Sequence, residues 1–255
     1  MKKIIAATLA LAAPLTSQAG EWEYSLTPYL WLPTISVDSK NVDESGNDLD
    51  VGPTDYLEAL DFGFMMAGEA RKDKLVLKGD FMYLDFSVDE KEVKTPIVTA
   101  DASLTGFVPT LLAGMNVIET DNYHMDILAG WRRADLEFSV DATVTLGPIN
   151  RGDRVVDLDM AYDDFLLAVN GQYDFAGSNW SMPYYADIGA GDSDLTWQAM
   201  IGLDYAFDSW KLHMNYRHLD YDFGDVSGTV LSKSVVAEDI EMVFSGPSIG
   251  AKFEF

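Results

Sequence analysis

The chain has no cysteine. That excludes a disulfide framework and any thiolate metal site. It is also poor in positive charge: 17 Lys and Arg stand against 42 Asp and Glu, a net charge of −25 over 255 residues. So acidic a chain repels nucleic-acid phosphate instead of displacing its counterions, and it resists adsorption onto anionic lipid. Beyond residue 19 long apolar runs are missing, so no membrane-spanning helix is expected. Yet 48% of the residues are hydrophobic, too many for a disordered acidic chain. The apolar surface must therefore be dispersed, and its spacing carries the information.

The first segment stands apart. Met1-Lys2-Lys3 is a basic start, Ile4 to Leu15 is a short apolar run, and Ser17-Gln18-Ala19 fits a small-x-small cleavage site. Residues 1–19 read as a secretory signal peptide, too short for a comfortable membrane span. Residues 20–255 read as one domain.

In that domain apolar residues recur at every second position, the period of a strand with two unlike faces. Leu195, Trp197, Ala199, Ile201, Leu203, Tyr205 and Phe207 alternate with Thr196, Gln198, Met200, Gly202, Asp204 and Ala206. After Asp208-Ser209 the pattern restarts with Trp210, Leu212, Met214 and Tyr216 against Lys211, His213, Asn215 and Arg217. The same alternation runs through most of the chain. Tight polar turns fall near 72–74, 120–122, 176–179 and 208–209, and a short one at 189–194. Long connections fall at 37–61, 87–98, 139–163 and 222–238. Short turns at one end and long loops at the other predict an antiparallel up-and-down transmembrane β-barrel. The expected count is ten strands, with eight or twelve as alternatives, twelve if 139–160 forms an extra hairpin. Pro28 and Pro109 predict irregular pairing where they fall.

Energy decides which face meets lipid. A charge on the lipid face near the midplane costs about 2–4 kcal/mol, so the apolar set faces out. The inward set then carries Glu23, Glu69, Asp80, Asp126, Asp187, Asp204 and Glu254 against Arg71, Lys78, Arg132, Lys211, Arg217 and Lys252. This nearly balanced lumen reads either as a salt-bridged plug or as an ion-selecting constriction, and a narrow barrel favours the plug. Trp22, Trp131, Trp180, Trp210, Tyr83, Tyr173, Tyr205 and Tyr216 near strand ends suit an interfacial girdle. A periplasmic β-sandwich also alternates, but it needs neither that girdle nor a final aromatic residue.

These residues resemble a known group. TPYLWLP, LDFGFMMAGEARKDKLVLKGDFMYLDF, the 193–223 stretch ending MNYRHLDYDF, and the closing SGPSIGAKFEF look like a family of small Gram-negative outer-membrane β-barrel proteins, broadly of the OmpA/OmpW type. The resemblance covers the whole domain. It implies a barrel in the cell outer membrane, in contact with lipid and lipopolysaccharide, with Phe255 as the signal to the barrel assembly machinery. It implies no cofactor and no catalytic residue. Where relatives often carry an aromatic beside the Arg of the YR-x-LDYD stretch, this chain has His218.

Three histidines, His124, His213 and His218, are the only candidates for acid–base chemistry of the usual kind. By parity His218 points outward and His213 inward, and no serine partner is evident along the sequence. The charge excess lies in 37–61, 139–164 and 220–241, which read as acidic external loops. Such a rim attracts cations and could hold Ca²⁺ or Mg²⁺ through oxygen ligands. DESGNDLD (43–50) has part of a calcium-loop pattern, with Gly46 out of place. PTDYLEALD (53–61) has the signals of a short helix. The expected function is a non-enzymatic, porin-like or structural barrel that favours cations. The alternatives are a surface interaction protein binding divalent cations, lipopolysaccharide or a partner, and a barrel hydrolase.

Overall fold

The computed structural model describes residues 22–39, 60–92, 98–146, 149–230 and 233–255. Its strands are β1 (Glu23–Trp31), β2 (Thr34–Ser39), β3 (Leu60–Lys72), β4 (Leu75–Glu92), β5 (Val98–Thr120), β6 (Tyr123–Leu146), β7 (Ile149–Asp174), β8 (Trp180–Gly191), β9 (Leu195–Ala206), β10 (Lys211–Val230) and β11 (Lys233–Glu254). From β3 to β11 each strand pairs antiparallel with the next, and β1 joins β3 to β11, which closes the sheet into a barrel. At that junction Tyr24 and Phe255 exchange both backbone hydrogen bonds, at 3.1 and 2.9 Å.

β1 and β2 are one stave with a break in it. β1 pairs with 248–254 of β11 and β2 with 240–245 of the same strand. Pro33 lies at the break and has no N–H to give, while Leu32 keeps its bond to the Pro247 carbonyl at 3.0 Å. The barrel therefore has ten staves, as the alternation predicts. Pro28 and Pro109 leave gaps in the ladder but do not shift it. Pairing lapses between Phe107↔Asp135 and Thr110↔Arg132, then resumes in the same register. Real shifts occur elsewhere, at Asn116/Ile118 and around Gly224, whose φ of 63° needs a residue without a Cβ.

The long connections differ from expectation. Residues 87–92, 98–103, 139–146, 149–163 and 222–230 are strand, not loop. β5, β6 and β7 run for 23, 24 and 26 residues, where about 9–11 suffice to cross a bilayer. The hairpins simply continue past the membrane. Charge density made these stretches look like loops, but they are also rich in Val and Thr, which favour strands. The 139–160 stretch extends β6 and β7 and adds no hairpin. By contrast β8 and β9 have only 12 residues each. Above their turn β7 and β10 pair directly, Val156↔Val230 and Asp157↔Thr229. The signal peptide, the 43–50 segment and residues 53–59 lie outside the described residues, while Leu60 and Asp61 open β3.

The outer wall is apolar. Phe165 and Leu167 stay 77% and 65% exposed, and Met115, Ile127, Ile188, Ile201 and Ile249 are similarly bare. A water-soluble protein does not carry a continuous patch of that size, but a barrel in lipid does. At the turn end an aromatic belt follows: Trp180 on Tyr205 (4.8 Å), Tyr205 on Phe207 (4.9 Å) and Phe207 on Trp210 (4.6 Å).

Candidate functional site

The lumen is built in three levels. Nearest the tight turns lies a polar cavity of about 940 Å³. At its rim Lys211 reaches Glu254 at 2.7 Å and Lys252 reaches the same carboxylate at 3.4 Å, and Glu23 borders the opening. The Lys211–Glu254 pair is half in solvent, where such pairs contribute about 0–1 kcal/mol. Lys211→Ala is therefore expected to shift the unfolding free energy by less than about 1 kcal/mol, as read from urea titration of the protein in lipid. A larger loss would mean that the rim, not the interior, holds the barrel shut.

Deeper in the cavity Arg71 grips two acids. It bonds Glu69 at 2.5 Å and forks onto both oxygens of Asp126 at 3.1 and 2.5 Å. Asp126 is fully buried and also accepts from Asn116 at 3.1 Å and Asn170 at 3.0 Å. Lys78 donates to Asn170 at 2.9 Å and lies 3.6 Å from Glu69. On the opposite wall His213 meets Asp204 at 2.5 Å, and Asn215 links His213 to Ser248 at 2.9 and 3.3 Å.

The second level is a pair of buried arginines. Arg217 binds Asp80 at 2.8 Å, the Tyr29 hydroxyl at 2.9 Å and Gln198 at 3.0 and 2.7 Å. Tyr29 in turn donates to Asp80 at 2.6 Å. Arg132 forks onto Asp187 and adds bonds to Thr110 at 3.1 Å and Thr196 at 3.4 Å, while Tyr185 donates to Asp187 at 2.6 Å. Both guanidiniums are cut off from solvent. A desolvated charge is tolerable only when its partners are this complete.

The third level is apolar. Trp31, Met65, Met82, Leu136, Met160, Leu219, Tyr221 and Phe223 come inward from six staves and bury one another. Tyr162 and Phe223 meet with centroids 4.7 Å apart, and Phe223 stacks on Tyr221 at 4.9 Å. Trp31 forms the floor of this layer, with the Arg217 guanidinium 4.9 Å from its ring centroid. The layer lies on the hairpin side of the arginine level.

Every charge expected in the lumen thus lies in the cavity wall or on a partner that does. The neutral groups that complete the pairing, Tyr29, Thr110, Asn116, Asn170, Tyr185 and Gln198, share the inward parity but carry no charge to draw attention. The apolar layer is a further level of the lumen that the inward charges did not announce. Its signal was visible in Leu219, Tyr221 and Phe223, which follow Arg217 on the same parity. Among the described residues no group of three or more His, Asp or Glu is arranged to hold a metal ion. His124 stands by the 121–122 turn, on the cavity wall. His218 faces outward as parity predicts, but it has a serine partner after all, Ser245 of β11.

No protein-family model matches the chain, and no curated protein sequence matches it either. Solved structures do share its fold. The outer-membrane protease OmpT from Escherichia coli is 10% identical, with a TM-score of 0.52 over 95% of this chain and 99% of that one. The translocator domain of the autotransporter NalP from Neisseria meningitidis is 11% identical, with a TM-score of 0.51 over 93% and 90%. At such identities the likeness speaks for architecture alone: this chain has the fold of an outer-membrane β-barrel.

Proposed function

We propose that the protein is a closed outer-membrane barrel, a structural anchor that carries long acidic hairpins beyond the membrane instead of an open porin. The observation behind this is the apolar layer seated over two fully paired arginines. Ions crossing it would shed their water against Trp31, Leu219 and Phe223, with little beyond the Tyr221 hydroxyl to replace it. The cavity below opens toward the tight turns, which in a barrel of this orientation face the periplasm.

The hairpins would be the working surface. Asp141, Asp159, Asp225 and Glu241 are exposed on them, and Asp192 and Asp194 on the short β8–β9 turn. A field of one sign draws cations, and oxygen-ligated divalent ions could tie such a surface to lipopolysaccharide phosphates. Lipid, lipopolysaccharide and the assembly machinery, approached through Phe255, are the partners this reading implies.

The test is conductance. The refolded protein, its folding confirmed by heat-modifiable gel migration, is expected to leave a planar bilayer silent across a salt gradient. Discrete current steps from the folded protein would reject the closed barrel. Cation selectivity in those steps would then restore the alternative of a charge-lined pore.

A further inference from the structure

On the outer wall, three side chains from neighbouring strands come together outside the lumen. His218 and Asp220 stand two apart on β10 and so share a face. Ser245 sits opposite His218 in the β10–β11 register. The Ser245 hydroxyl and His218 Nδ1 are hydrogen-bonded, and His218 Nε2 lies 4.0 Å from Asp220 Oδ2. Trp197 packs on the imidazole with centroids 4.5 Å apart. The geometry selects a tautomer. When Nδ1 accepts the serine proton, Nε2 carries the ring proton toward the Asp220 carboxylate, the order that a serine nucleophile, its base and an orienting acid require.

The position of the cluster is equally specific. Toward the turns, the next outward residues on the same strands are Tyr216 and Pro247, both on the bare apolar wall. Toward the hairpins Val243 stands opposite Asp220, and the outward pair beyond them is Asp222 and Glu241. The cluster therefore stands where the apolar band ends. Directly below it a groove of about 700 Å³ runs along the wall, lined by Leu32, Ile201, Leu203, Tyr216, Pro247 and Ile249. A groove on this face is filled by acyl chains, and an ester that joins such a chain to a polar headgroup lies at the depth of Ser245.

We propose that Ser245 and His218 form an interfacial acyl-ester hydrolase site on the lipid-facing wall, with the acyl chain of a membrane lipid in the groove. Ser245 Oγ attacks the ester carbonyl carbon and His218 Nδ1 takes its proton. The ester C–O bond breaks, the proton passes from His218 to the departing alcohol, and the acyl group stays on Ser245. Water then attacks the acyl-serine, giving its proton to His218. As the acid leaves, that proton returns to Ser245. The net reaction consumes one ester and one water and releases one fatty acid and one alcohol. Asp220 acts as a positioning residue through Nε2. The register sets Thr34 beside Ser245 on the same face, where its hydroxyl can face the developing oxyanion.

The experiment uses the refolded protein in mixed micelles of phosphatidylethanolamine, with fatty-acid release as the readout and an alkyl fluorophosphonate as a covalent probe. The expected result is steady release and a mass adduct on Ser245. Ser245→Ala, shown to fold by heat-modifiable migration, should lose both, with the rate falling by about 10⁴-fold or more. Ile201→Trp, which fills the groove, should raise KM for long-chain esters and spare short-chain ones. Asp220→Asn should lower kcat with KM unchanged and leave the adduct on Ser245. A folded wild-type protein that takes no label and releases no acid overturns the proposal, as does hydrolysis that survives in Ser245→Ala. Neither outcome touches the closed lumen, which conductance alone decides.

Discussion

Replacing Arg132 by alanine is expected to destabilise the barrel by about 3–5 kcal/mol, the usual cost of stripping one partner from a buried ion pair. The reason lies in what is left behind. Asp187 stays in place with no access to solvent and only the Tyr185 hydroxyl to face its charge. The Thr110 and Thr196 hydroxyls also lose the guanidinium from which they accept hydrogen bonds. The double variant Arg132→Ala/Asp187→Ala should recover much of that loss, because the orphaned charge is gone. Urea-driven unfolding in lipid for the four corners of the cycle measures the coupling. If the single variant costs under 1 kcal/mol, water reaches this level from below and the arginines are not truly sealed. The contrast with the rim is the point: two pairs of like chemistry, Arg132–Asp187 and Lys211–Glu254, differ severalfold in worth because only one is cut off from water.

The second large effect concerns the apolar layer. Leu219, Tyr221 and Phe223 enter the lumen from one strand, and each is almost completely buried. Truncating all three to alanine is expected to make the protein conduct in discrete steps where the unaltered barrel, as proposed, does not. The outer wall and the ladder, which drive insertion, are untouched by these changes, so the barrel should still assemble. Some stability will be lost, since removing a buried aromatic costs about 3–5 kcal/mol where the space does not collapse. Here the space floods instead, and water can reach Arg217 and Arg132 from the hairpin side. A folded triple variant that stays silent would show that the arginine level blocks the lumen unaided.

Much of this architecture is legible in the alternation. The lipid face penalises every charge, so each strand had to declare its orientation, and Asp204 against Leu203 or Arg132 against Trp131 leaves no ambiguity. The ten staves follow from the same constraint. Where the constraint ends, legibility ends too. In Val140–Leu146 and Arg151–Leu158 the sequence loses the clean split into an apolar and a polar set, so parity does not distinguish strand from loop there. Inside the lumen, parity says that Tyr29, Gln198 and Leu219 point in, but not how far each reaches across. That Arg217 of β10 would find Asp80 of β4 depends on barrel diameter and stagger. Ser245 and His218 were hidden for a related reason: their meeting is set by the β10–β11 register, and the intervening chain is a long hairpin with bulges that shift the count.

The bond between Tyr24 and Phe255 has a temporal meaning as well. Apart from the short β7–β10 contact, the other neighbouring pairs in the wall join staves that follow one another along the chain and find each other more quickly. The junction of β1 with β11 brings together residues separated by the whole domain, so its loop-closure entropy is the largest of all. Ten staves can zip through nine successive joints while the sheet is still an open, curling ribbon with two raw edges. Only when those edges meet does the lumen exist, the arginines find their carboxylates, and the ribbon lose its freedom to unroll. The slow step of assembly should therefore be the joining of the first strand to the last.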